Sequence, residues 1–174
     1  MAVFTTPQDY PPRKVATEAI SLSMQFLEKF WTWFAPLRGA KLNDPYISPT
    51  GDVARFIFER SKIRHNGSPK PGAFEPERHP ETGTLETSIC GLNGVSTERL
   101  WFLGRTVRID KQAIAAIEIK VEMVNAAGLV CKAEATDHYP EHGVIVGWSD
   151  EKSVRMSAQQ QLVATHTRML SPET

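Results

Sequence analysis

Hydrophobic positions along the chain change period several times, and each change predicts an element. Between residues 14 and 35, Ile20, Met24, Leu27, Trp31 and Phe34 recur at spacings of three and four, the mark of one helical face. Phe26, Phe30 and Trp33 widen that face past half of the circumference, and Pro36 and Gly39 end the helix. Residues 53–59, with Val53, Phe56, Ile57 and Phe58, read as a largely buried strand. Residues 84–90 alternate, placing Leu85, Thr87 and Ile89 on one side and Glu86, Ser88 and Cys90 on the other.

A short helix is expected next, with Ser96 as N-cap, Glu98 in the first turn and Gly104 just past the end. Residues 105–109 read as strand-like. Two patterns compete over 111–124. The alanines after Asp110 predict a helix over 111–116, and the alternation of Ile117, Ile119, Val121 and Met123 with Glu118, Lys120 and Glu122 predicts a strand over 117–124. A hairpin connection at 125–128 would lead to a strand over 129–135, followed by a short apolar strand over 143–148. A last helix, capped by Ser149 or Asp150, would turn Val154, Ala158, Leu162, Thr165 and Met169 inward.

This order is not a regular strand–helix alternation. It predicts an α+β fold, a largely antiparallel sheet flanked by the aromatic N-terminal helix and a C-terminal helix. A length of 174 residues predicts one domain over 14–174, preceded by an extended arm over 1–13 that holds Pro7, Pro11 and Pro12. The apolar share of 41% and charged share of 23% sit near globular averages and argue against wholesale disorder. Twenty basic and twenty acidic side chains leave no net charge, which argues against a constitutive polyanion binder. Two cysteines, Cys90 and Cys131, make no disulfide framework and lack metal spacing. The first thirteen residues lack the basic start and apolar run of a signal peptide. The longest apolar stretch, over 30–37, is broken by Thr32 and Pro36 and is too short to span a bilayer. A cytoplasmic protein without a membrane partner is the expectation.

Candidate chemistry gathers in three places. Asp137, His138, Tyr139, Pro140, Glu141 and His142 put two imidazoles and two carboxylates within six residues, the ingredients of acid–base or metal chemistry. Pro140 disfavours the helix that would bring His138 and His142 to one metal, so no cofactor is expected. Asp137, His138 and His142 remain the metal candidates. His142 is the choice for catalysis because it abuts the last apolar strand. The second place is the basic stretch Arg60, Lys62, Arg64, His65 and Lys70, whose charge and small neighbours suit phosphate groups, unless Glu75, Glu77 and Glu81 neutralise it. The third is the aromatic helix, where Phe26, Phe30 and Trp33 would face a partner.

No Gly-x-Ser-x-Gly elbow, phosphate loop or dinucleotide pattern occurs, and no run resembles a named family. The leading expectation is therefore a non-enzymatic binding or accessory subunit. It would dock on a protein partner, or on a second copy of itself, through the aromatic helix, with an anionic ligand on the basic stretch. The alternative is a metal-independent enzyme acting on RNA or nucleotide phosphates, with His142 as acid or base and Arg60, Arg64 and Lys70 stabilising phosphate charge. A divalent-metal hydrolase ranks third.

Overall fold

The computed structural model describes residues 45–172. The expected arm over 1–13 and the aromatic helix with Phe26, Phe30 and Trp33 lie outside them. The described residues form one antiparallel sheet of seven strands: β1 Asp52–Ile57, β2 Glu77–Arg78, β3 Leu85–Gly91, β4 Ala115–Lys120, β5 Val130–Ala133, β6 His142–Val146 and β7 Arg168–Leu170. Their spatial order is β5-β6-β3-β1-β4-β7, with β2 paired to the start of β3. Three helices, α1 Thr97–Thr106, α2 Val121–Ala126 and α3 Lys152–Thr165, complete the predicted α+β class. Among the described residues no helix is long and apolar enough to cross a membrane.

Strand side chains alternate between two faces, and each face has its own core. Val53 and Ile57 of β1 join Ile89, Ile117, Ile119 and Ile145 on one face, under α2, α3 and the 3-10 turn Pro71–Phe74. Ala54, Phe56, Cys90 and Ala116 project to the other face, where α1 supplies Leu100, Trp101 and Leu103. Each buried Ile or Leu contributes about 1.5–3 kcal/mol, so neither layer is optional.

Several expected elements change at their edges. Gly104 does not end α1 but lies inside it. A Cβ there would stand 3.1 Å from both the Phe56 ring and the Ala113 methyl, so the glycine lets the helix settle on the sheet. Residues 105–109 are not a strand, because α1 continues through Thr106. The expected helix over 111–116 and strand over 117–124 are also displaced. Residues 115–120 form β4 in full register with β1, and the chain turns helical at Val121. The expected 125–128 hairpin therefore closes α2, and β5 pairs with β6. In α3 the buried stripe is Gln159, Leu162 and Val163, whereas Val154 is half-exposed, Met169 belongs to β7 and Glu151 is the N-cap.

One half-buried arginine braces the sheet beside the turn Pro71–Phe74. β1 and β3 share only two register pairs, Val53 with Gly91 and Ala54 with Cys90. Beyond them Arg55 bridges the strands, donating from Nη1 to the Ser88 carbonyl at 3.0 Å and from Nε to the Ala73 carbonyl at 3.2 Å. The Thr87 hydroxyl donates to the Phe74 carbonyl at 3.3 Å. These bonds satisfy carbonyls that the parted strands leave open, and they fix the turn Pro71–Phe74 against the sheet.

Candidate functional site

His142 begins β6, opposite Cys90 in register, and so belongs to the face that α1 covers. Its Nδ1 lies 3.1 Å from the Glu134 carbonyl. A carbonyl only accepts, so Nδ1 carries the proton and Nε2 keeps a lone pair. The ring packs on Tyr139 with centroids 5.1 Å apart. Burial holds the imidazole below its ordinary value, against the opposing pull of the Glu134 carbonyl and the Glu86 charge. Neither of the neighbouring carboxylates, Glu141 and Asp137, orients the ring.

The Glu141 carboxylate instead takes a two-pronged ion pair from Arg99 of α1, Nε to Oε1 at 2.7 Å and Nη2 to Oε2 at 3.0 Å. Burial raises this carboxyl, and the Arg99 bonds more than offset it, so its pKa lies below the usual carboxylate value. Beside the pair, burial pushes the Cys90 thiol up to about 12, with the Tyr139 hydroxyl against it. A thiol so raised is protonated at neutral pH and makes a poor nucleophile. Glu134 is raised by burial and then by the charge of Glu86. Arg99, Glu134 and Glu86 come from three separate segments, and no local motif announces them. Among the described residues no group of three His, Cys, Asp or Glu side chains could hold a metal ion, the Asp137, His138 and His142 set included.

The basic stretch has a different character. Residues 60–62 form a 3-10 turn, and a hairpin follows in which Lys70 N–H donates to the Lys62 carbonyl and Arg64 N–H to the Ser68 carbonyl, both at 2.8 Å. Gly67 adopts φ of +84° at the tip, a conformation that costs a residue with a Cβ. Arg64 is committed within the hairpin, donating to the Pro69 carbonyl at 2.7 Å and the Ser68 hydroxyl at 3.4 Å. Arg60, His65 and Lys70 are exposed and form no side-chain hydrogen bond or ion pair with any described residue. The acids that could have neutralised them are not paired with them. Glu75 accepts from Gln159 at 3.2 Å, and Glu59 holds Lys111 at 2.9 Å.

Hairpin and histidine stand apart. The hairpin hangs from the far end of β1, past Ile57, and its Ile63 joins the core shared with Phe74, Val53 and Ile89. His142 lies level with the start of β1, on the opposite face with Cys90. The hairpin is thus anchored in the core of one face, while His142 belongs to the other.

Next to the hairpin, between the turn Pro71–Phe74 and α3, lies a cleft of about 310 Å³ lined by Gly72, Glu75, Lys152, Arg155, Met156 and Gln159, among others. The Lys62 ammonium stands beside it, 3.4 Å from where a Cβ on Gly72 would be. Lys152 and Arg155 escape a reading of the sequence because they lie more than eighty residues from the hairpin they adjoin. Comparison with known proteins finds no matching family model, no matching curated protein and no matching solved structure.

Proposed function

We propose that the protein is a non-enzymatic binding subunit of the cytoplasm that offers an anionic ligand the cationic surface of the 60–70 hairpin. The aromatic segment with Phe26, Phe30 and Trp33 supplies its docking contact to a protein partner, a part of the reading supported by the sequence pattern. One observation carries the anionic ligand: Arg60, His65 and Lys70 project from a hydrogen-bonded hairpin without acidic partners, in a chain of zero net charge. Isolated cations on a rigid loop cost little to hold in place and remain available for charge-assisted bonds. The catalytic alternative has less support, because the hairpin is anchored through Ile63 in one core while His142 pairs with Cys90 of the other, and Arg64 is already engaged.

The test is salt-dependent binding of a polyanion, with heparin as probe. Wild type should bind with a log–log salt slope that falls by about two to three when Arg60, Lys62 and Lys70 become Ser together, near 0.9 per lost contact. An unchanged slope would place the bound anion elsewhere and remove the proposal.

A further inference from the structure

The 310 Å³ cleft beside the hairpin has an unbalanced lining. Lys152 forms no ion pair with any described residue. Arg155 commits one nitrogen only: Nη1 donates to the Ser149 carbonyl at 2.8 Å and the Asp150 carbonyl at 3.1 Å. Its Nε and Nη2, the edge that grips a planar or tetrahedral anion with two parallel bonds, have no partner among the described residues. The lining's one acid, Glu75, takes the amide of the buried Gln159. The lining thus holds two cations, Lys152 and Arg155, against one carboxylate, and Lys62, which also answers Glu59, stands beside Gly72. Pro71 and Met156 add an apolar wall.

From this we infer that the cleft binds a small phosphate monoester carrying an apolar body. A phosphate monoester bears about −1.5 to −2 charges and three acceptor oxygens at neutral pH, so it can engage Lys152 and the free edge of Arg155 together, with Lys62 in reach beside Gly72, where a carboxylate offers one charge and two oxygens. The volume exceeds what the phosphate group alone requires, and pockets for small organic ligands begin near this size, about 300 Å³. The inference rests on the cationic face of the proposed function, but it commits to the cleft and to a small ligand.

Phenyl phosphate is the probe, with benzoate and inorganic phosphate beside it, followed by calorimetry and by amide shifts in a labelled sample of the full chain. Phenyl phosphate should bind more tightly than either comparator and move the amides of residues 71–75 and 152–160. Lys152→Gln should weaken it about tenfold, the loss expected for one charge-assisted bond. Gly72→Leu should weaken it similarly while leaving the melting temperature in place. A Cβ at position 72 meets only the far end of Lys62, at 3.4 and 3.8 Å, so the new side chain fills the cleft without disturbing the core.

Retained affinity in Gly72→Leu, shifts confined to other residues, or phenyl phosphate binding no tighter than benzoate would each overturn the inference. The double variant Arg60→Ser/Lys70→Ser separates it from the wider reading: heparin binding should fall and phenyl phosphate binding should stay. Phenyl phosphate binding in the cleft without any salt-dependent heparin binding would defeat the wider reading and leave the cleft standing. Heparin binding alone would do the reverse.

Discussion

At the His142 end of the sheet, polar side chains answer one another. Arg99 closes on Glu141, the Glu134 carbonyl takes the imidazole, and the Cys90 thiol lies against Tyr139. Across the sheet, the hairpin and cleft leave Arg60, Lys70 and Lys152 without acidic partners. The sequence presents both regions as clusters of charge, and the first carries the richer mixture of catalytic residue types. Paired groups hold the fold, however, and unpaired ones remain free for a ligand. The difference between the two regions lies in neutralisation, which needs three-dimensional contacts to read.

The largest effect is expected where the first region holds the fold. Arg99→Ala leaves Glu141 buried and unpaired, and should cost roughly 3 kcal/mol, read from urea unfolding midpoints. The wild-type contribution of this pair belongs to a carboxyl whose folded pKa is depressed. It should therefore be present above the ordinary carboxylate range and fade as pH falls through it. An unfolding midpoint unmoved by Arg99→Ala would show that the pair holds nothing. Gly104→Ala tests the same layer by sterics: the added methyl meets Phe56 and Ala113 at 3.1 Å and should cost about 1–2 kcal/mol despite the better helix propensity of alanine.

His142 makes the first region sensitive to pH. Its folded pKa is lowered, so below the unfolded value the unfolded chain binds the extra proton and stability drops with falling pH. Wild type should lose up to about 1.4 kcal/mol per pH unit more than His142→Gln just below about pH 6.5, where free histidine begins to charge. Glu134, raised by burial, acts with the opposite sign at lower pH, so the difference between the two proteins is the quantity to measure. Equal slopes would mean that the ring is solvated in the folded state.

The smallest stability effect is expected in the second region. Replacing Arg60, Lys62 and Lys70 by Ser should move stability by less than about 0.5 kcal/mol, since exposed cations add little to folding. A larger loss, measured by thermal unfolding, would show that the hairpin charges serve the fold.

Much of the fold was legible in local pattern. The alternation through Leu85, Thr87 and Ile89 identifies β3, and Ser96 caps α1 by accepting from the Arg99 amide at 3.2 Å. Residues 111–124 misled because a six-residue helix is too short to show its own period. Val121 and Met123 continue the strand alternation of Ile117 and Ile119 even though the chain has already turned helical. The site was less legible. Glu141 stands 42 residues from Arg99, and Gln159 stands 84 from Glu75, so neither partnership leaves a mark on a sequence window. Gln159 lies beside the face that Val154, Ala158 and Leu162 suggest, so its burial became visible only with the true stripe of Gln159, Leu162 and Val163.

Binding at the face with unpaired cations is read from amide shifts of the labelled full chain under heparin titration. Shifts that fade with salt are expected over residues 60–70, while His142, Tyr139 and Arg99 stay still. Shifts centred on His142 and its neighbours, with the hairpin unmoved, would contradict this expectation.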